Sequence, residues 1–153
     1  MSGTFNYIIR STNKTVTTDS HNNCGIRLSC SSLYKYYECE VVGFHLSYLG
    51  DTDITSETNP NFYTSGFMEL RADFDFVDLG DTGNKKTVAV QSTTNFYQGK
   101  PDKFKVANFN GVTINFKIVG DDEKPLSYME RGLDVLHEYD KPWVLILNMK
   151  GTN

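Results

Sequence analysis

Apolar and polar residues alternate over short stretches along most of this chain, and that period of two predicts strands. From Thr4 to Arg10, Phe5, Tyr7 and Ile9 oppose Asn6 and Arg10, the pattern of a strand with one face buried. Cys24 to Cys30 repeats it, with Cys24, Ile26, Leu28 and Cys30 on one face and Arg27 and Ser29 on the other. From Tyr37 to Tyr48 the apolar residues change phase, odd-numbered at Tyr37, Cys39 and Val41, even-numbered at Phe44, Leu46 and Tyr48. The change at Val42-Gly43 predicts a bulge or a bend from one sheet to another, and disruption of the strand by Gly43→Val. Phe67 to Phe76 is the cleanest one-sided strand, with Met68, Leu70, Ala72, Phe74 and Phe76 opposite Glu69, Arg71, Asp73 and Asp75. Lys86 to Ser92 offers Val88 and Val90, Phe104 to Phe109 is a short apolar-rich run, and Val112 to Val119 alternates again. Asn110-Gly111 between the last two is a hairpin signal. Pro142 to Met149 is apolar on both faces and predicts a well-buried strand inside a sheet.

The period changes once. Leu126, Met129, Leu133 and Leu136 recur at spacings of three and four, and Ser127 with Glu130 has capping-box spacing. A short amphipathic helix is predicted there, just before the last strand, although Gly132 costs it about 1 kcal/mol relative to Ala. Gly50 to Gly66, Leu79 to Lys85 and Asn95 to Lys103 read as loops. With eight strands, one accessory helix and no repeat or long linker, the expected fold is all-β. It is an eight-stranded antiparallel sandwich, a single jelly roll, occupying 1–153 as one domain.

Composition sharpens the class. The 153 residues include nine Tyr and ten Phe, and the only alanines are Ala72, Ala89 and Ala107, a balance that favours strands over helices. A net charge of -4 with 39% hydrophobic residues fits neither disorder nor a basic nucleic-acid-binding surface. No apolar run reaches the roughly 18–20 residues of a membrane helix, and the N-terminal stretch lacks the features of a signal peptide. Three cysteines without a CxxC pair point to a reducing compartment, where the sequon Asn13-Lys14-Thr15 stays idle. Cys24 and Cys30 read as small core residues, since His21 and Cys24 lack the further ligands that zinc requires.

Candidate chemistry is thin. His21, His45 and His137 belong to no metal-binding motif, and serine-nucleophile and phosphate-cradling motifs are missing. Asp73 and Asp75 share a strand face with Glu69 and Arg71, which reads as a solvated face with partial charge pairing. The acidic loop residues Asp51, Asp53, Glu57, Asp121, Asp122 and Glu123 lack the spacing of a calcium loop. No catalytic, cofactor-binding or metal-ligating residue is assigned. The informative residues are aromatics in expected loops: Tyr34, Tyr36 and Tyr37 ahead of the long strand, Phe62 with Tyr63, and Phe96 with Tyr97. Such rings cap the ends of a sandwich, anchor a protein interface or stack on sugars; Tyr34, Tyr36, Phe62, Tyr63, Phe96 and Tyr97 are the candidate interface.

Taken together, the stretches FNYIIRS, YYECEVVGF, FMELRADF, TVAVQS, FKVANFNG and KPWVLILNMK resemble the small single jelly-roll capsid proteins of large double-stranded DNA viruses. The likeness lies in strand order, length and texture over most of the chain, and the chain is far too short for a double jelly roll. What it implies is a structural virion component, a minor or penton-type (vertex) capsid protein and not an enzyme. Its partners would be other capsid subunits, including copies of itself in a homo-oligomer, without a membrane span, direct nucleic-acid contact or cofactor. It would be made in the host cytoplasm without a signal peptide and end in the virion. The alternative is a carbohydrate- or receptor-binding sandwich, with two or three aromatics coplanar on one surface. A jelly-roll enzyme is the third reading and requires a polar cleft around a perturbed acid or histidine.

Overall fold

The computed structural model describes residues 3–46, 67–77, 86–92, 103–120, 123, 127–129, 136–138 and 140–153. The loops expected over 50–66 and 79–85 lie outside them, as does the loop expected over 95–103 except for Lys103, which begins a strand. The strands are β1 (Thr4–Arg10), β2 (Asn23–Arg27), β3 (Tyr36–Leu46), β4 (Phe67–Ala72), β5 (Lys86–Ser92), β6 (Lys103–Ala107), β7 (Thr113–Gly120), β8 (Ser127–Met129), β9 (Leu136–Glu138) and β10 (Trp143–Thr152), with a 3-10 turn at Ser11–Asn13. One sheet has the order β1-β10-β3-β6, the other β2-β7-β4-β5, and β8 pairs with β9 alone. Apart from that short pair, the eight strands match first with last, second with seventh, third with sixth and fourth with fifth, all antiparallel. This nesting is a long ribbon rolled over on itself, the jelly-roll form of the β-sandwich.

The inward faces form one core. Met68, Leu70, Ala72, Phe74 and Phe76 are all buried, as their alternation predicts, and Leu145, Leu147 and Met149 of β10 face them from the first sheet. Phe74 is the hub, with ring centroids of Phe76, Phe104, Phe109 and Phe116 at 5.5–6.1 Å, mostly edge to face. Beyond Ala72 the chain crosses between the sheets. Asp73 still holds β7, accepting the Asn115 backbone N–H at 2.7 Å and its side-chain amide at 2.8 Å. Two residues later the chain pairs with β6, where Ala107 N–H donates to Asp75 O at 2.8 Å and Val77 N–H to Lys105 O at 3.0 Å.

The phase change in β3 is a bulge. Ile146 of β10 stands opposite Gly43 and Leu147 opposite Val41, so Val42 is the extra residue, and β3 stays in one sheet rather than bending to the other. A second register shift falls at Val88, since Leu70 opposes Ala89 and Arg71 opposes Thr87. It buries Val88 and Ala89 together and turns Val90 outward.

Asn110-Gly111 turns the chain without making a hairpin. β6 and β7 belong to different sheets, Gly111 has φ +73°, and Val112 N–H donates to Phe109 O at 3.0 Å. Positive φ at the second central residue alone gives the type II pattern, whose twist does not suit a two-residue hairpin as type I′ does. The turn is clamped to the 28–35 loop. The Asn108 side-chain amide donates to Ser31 O at 2.8 Å and Tyr34 O at 2.7 Å, and Cys30 N–H donates to Asn110 Oδ1 at 3.1 Å.

The helix expected before the last strand is corrected. Ser127–Met129 and Leu136–Glu138 are extended and paired, with Met129 opposite Leu136. Residues seven apart lie on one helical face, but the same separation also suits a cross-strand pair, and Gly132 between them weakens the helix.

A polar node ties the start of β10 to the loop after β1. Ser11 is fully buried, and its Oγ accepts Trp143 N–H at 2.9 Å and lies 2.9 Å from His21 Nδ1. The Trp143 indole N–H donates to His21 O at 2.6 Å, and His21 N–H to Asp140 Oδ1 at 2.6 Å. Burial, and then the nearby Lys14 ammonium, hold the His21 imidazole below its ordinary pKa, with the Asp140 carboxylate and the Ser11 backbone opposing them.

A Cβ at Gly151 would overlap the Tyr34 ring, so Gly151→Ala should cost about 1–3 kcal/mol in urea unfolding. Gly43→Ala meets only the ends of the His45 and Ile146 side chains and should cost less. Because the folded His21 pKa is depressed, the unfolded chain takes up the proton first, and stability falls as pH drops through about 6.5, levelling off below the folded value. His21→Gln should flatten that acid-side slope in unfolding midpoints measured from pH 7.5 to 5. An unchanged slope would assign the acid sensitivity to other groups.

Candidate interaction surface

The sequence-predicted aromatics separate. Tyr34 is half-buried, its ring edge-on to Tyr37 at 5.9 Å, over Gly151. Tyr37 is fully buried, its hydroxyl donates to Ser31 O at 2.7 Å, and burial above all pushes its pKa up to about 12. Tyr36 points the other way, half-buried on the outer face of the first sheet, with the Lys105 ammonium 5.1 Å from its ring centroid. Strand alternation thus divides neighbouring rings between core and surface. Phe62, Tyr63, Phe96 and Tyr97 lie outside the described residues.

Register arranges the outer face of the first sheet in rows. Thr4, Lys150, Glu38 and Lys105 form one, and Asn6, Asn148, Glu40 and Lys103 the next. Charges of opposite sign therefore stand side by side at cross-strand spacing. A shallow cleft of about 330 Å³ opens here, lined mainly by Glu38, Glu40, Lys103, Lys105, Asn148 and Lys150. Further along, the row of Ile8, Ile146 and Gly43 is apolar, followed by Arg10, Val144 and His45. Ile8 is 49% exposed and Val42, lifted out by the bulge, 45%, while Ile146 and Val144 are half-buried. An apolar band flanked by charged and amide side chains has the make-up of a protein interface, an apolar centre with a polar rim.

The outer face of the second sheet is built differently. Arg71 bridges Glu69 at 2.8 Å and Glu123 at 2.7 Å. Hydrogen bonds to the two carboxylates, Glu123 first, raise the guanidinium pKa, and the same contact lowers that of Glu123. This face carries the partial charge pairing expected of Glu69 and Arg71, with the Asp73 carboxylate held by Asn115. Burial pushes the Cys24 thiol up to about 11 and the Cys39 thiol up to about 12, so both stay protonated near neutral pH and are poor nucleophiles. Among the described residues, no group of three or more His, Cys, Asp or Glu is placed to hold a metal ion. No helix among them is long and apolar enough to cross a membrane.

Comparison with protein-family models, with curated proteins and with solved structures finds no match in any of the three.

Sequence reasoning missed the apolar band, although its signal was present. Pro142 to Met149 is apolar on both faces, which reads as burial on both; β10 does lie between two strands, yet one of its faces looks outward. Ile8→Thr on that face should change stability by no more than about 0.5 kcal/mol, whereas Leu145→Ala on the inward face should cost about 2–5 kcal/mol. Urea unfolding of the two variants checks this.

Proposed function

We propose that this chain is a structural subunit of a viral capsid, a single jelly-roll minor or penton-type protein of a double-stranded DNA virus. It assembles through protein–protein contacts. The observation that carries the reading is the apolar band of Ile8, Val42, Val144 and Ile146 on the outer face of an otherwise well-packed sandwich. Leaving such a band in water is unfavourable, and covering it against neighbouring subunits supplies a driving force for assembly. The jelly-roll nesting of the strands and the resemblance to small capsid proteins support the same role. No catalytic step is assigned to the chain, and its site of action is the virion.

A carbohydrate- or receptor-binding role is the second reading, favoured by the cleft among Glu38, Glu40, Lys103 and Asn148 on the outer face of the first sheet. The Lys105 ammonium over the Tyr36 ring weighs against sugar stacking on that face.

Native mass spectrometry and electron microscopy of the purified protein test the two. Closed oligomers are expected, and Val144→Lys with Ile146→Lys should disperse them while the melting temperature shows that the fold survives. A strict monomer that binds glycans on an array would sink the capsid reading.

A further inference from the structure

Four strands form the edges of the two sheets, and three are protected. β6 is paired along its outer side by the Asp75–Val77 crossing and carries Lys103 and Lys105. β2 is met by Thr15, whose N–H donates to Gly25 O at 2.8 Å, and β5 begins with Lys86. Lysines, coverings and bulges are the usual means of keeping an edge from pairing with another chain. β1 is the least protected: its one charge, Arg10, stands at its end, it contains neither Pro nor Gly, and it pairs with β10 over seven residues without a register shift. Among the described residues, its backbone hydrogen bonds run to β10 alone.

We infer that β1 pairs antiparallel with β1 of a second copy of this chain about a two-fold axis at Ile8, joining two four-stranded sheets into one of eight strands. The inference deepens the assembly reading by naming one partner and one contact. Pairing must set outward residues against outward residues, which restricts the axis to a residue position. With the axis at Ile8, the apolar row runs unbroken from Ile146 through Ile8 to the second Ile8 and Ile146, and the only charged side chain, Arg10, meets Asn6. An axis at Tyr7 instead sets Ile8 against Asn6. The contact is small, so a reversible dimer with Kd on the order of 1–100 μM is expected.

Cross-linking tests the register. In a Cys30→Ser background, with Cys24 and Cys39 buried, Ile8→Cys places two thiols on directly opposed residues, whose Cα atoms lie about 4.5–5.5 Å apart and within disulfide range. With oxidised glutathione as oxidant, a covalent dimer should form. Asn6→Cys places its pair about 14 Å apart, beyond disulfide reach, and should give at least about tenfold less. Ile8→Lys should abolish the reversible dimer at unchanged melting temperature. A protein that stays monomeric at about 100 μM, or cross-links equally at positions 6 and 8, overturns the inference. Larger closed shells without cross-linking at position 8 would overturn the edge pairing alone. A cross-linked dimer that never grows further would overturn the capsid reading alone.

Discussion

The two sheets are held in register by the ring of Phe74. Its neighbours come from both: Phe116 belongs to β7 of the second sheet, Phe104 to β6 of the first, and Phe109 to the turn that joins them. Edge-to-face contacts of this kind add about 0.5–1.5 kcal/mol each beyond the area they bury. They also fix a direction, because a ring that must present its edge to one neighbour and its face to another has few acceptable positions. The crossing at Asp73 to Val77 places Phe74 there, anchored by Asn115 on one side and by β6 on the other. Packing and backbone pairing therefore fix the same geometry, as expected of a sequence that specifies one fold.

Strand positions were legible because alternation is a local property that burial of one face imposes on every strand. The same locality explains what was misread. Met129 and Leu136 satisfy a helical spacing and a cross-strand pair equally well, and only the partner strand decides. Asn110-Gly111 announces a turn, yet the backbone angle at Asn110 separates a hairpin from a passage between sheets, and the residue pair does not encode it. Apolarity on both faces of β10 shows that neither face is content in water, without naming what covers the outer one.

The candidate surface was legible only in part for a related reason. The richness in aromatics drew attention to Tyr34, Tyr36 and Tyr37, and the sandwich turns Tyr37 into the core, lays Tyr34 against it, and leaves Tyr36 on the outer face. The outer band is made of aliphatic residues drawn from three strands distant in sequence, so no window of the chain contains it. Only the register of β1, β10 and β3 assembles it.

First-with-last pairing also governs how the molecule is made. Thr4 lies opposite Lys150, so β1 has no partner in its sheet until the other strands of the sandwich have been synthesised. Contacts between residues so far apart in sequence close a long loop before they yield any energy, and folds dominated by them form slowly. During synthesis the second sheet and the β3–β6 pair are available first, with the apolar residues of β1 and β3 waiting for β10 to enter between them. The last of these eight strands to be made is thus the one that completes the sheet, and a chain interrupted before it leaves two unpaired edges facing each other across its place.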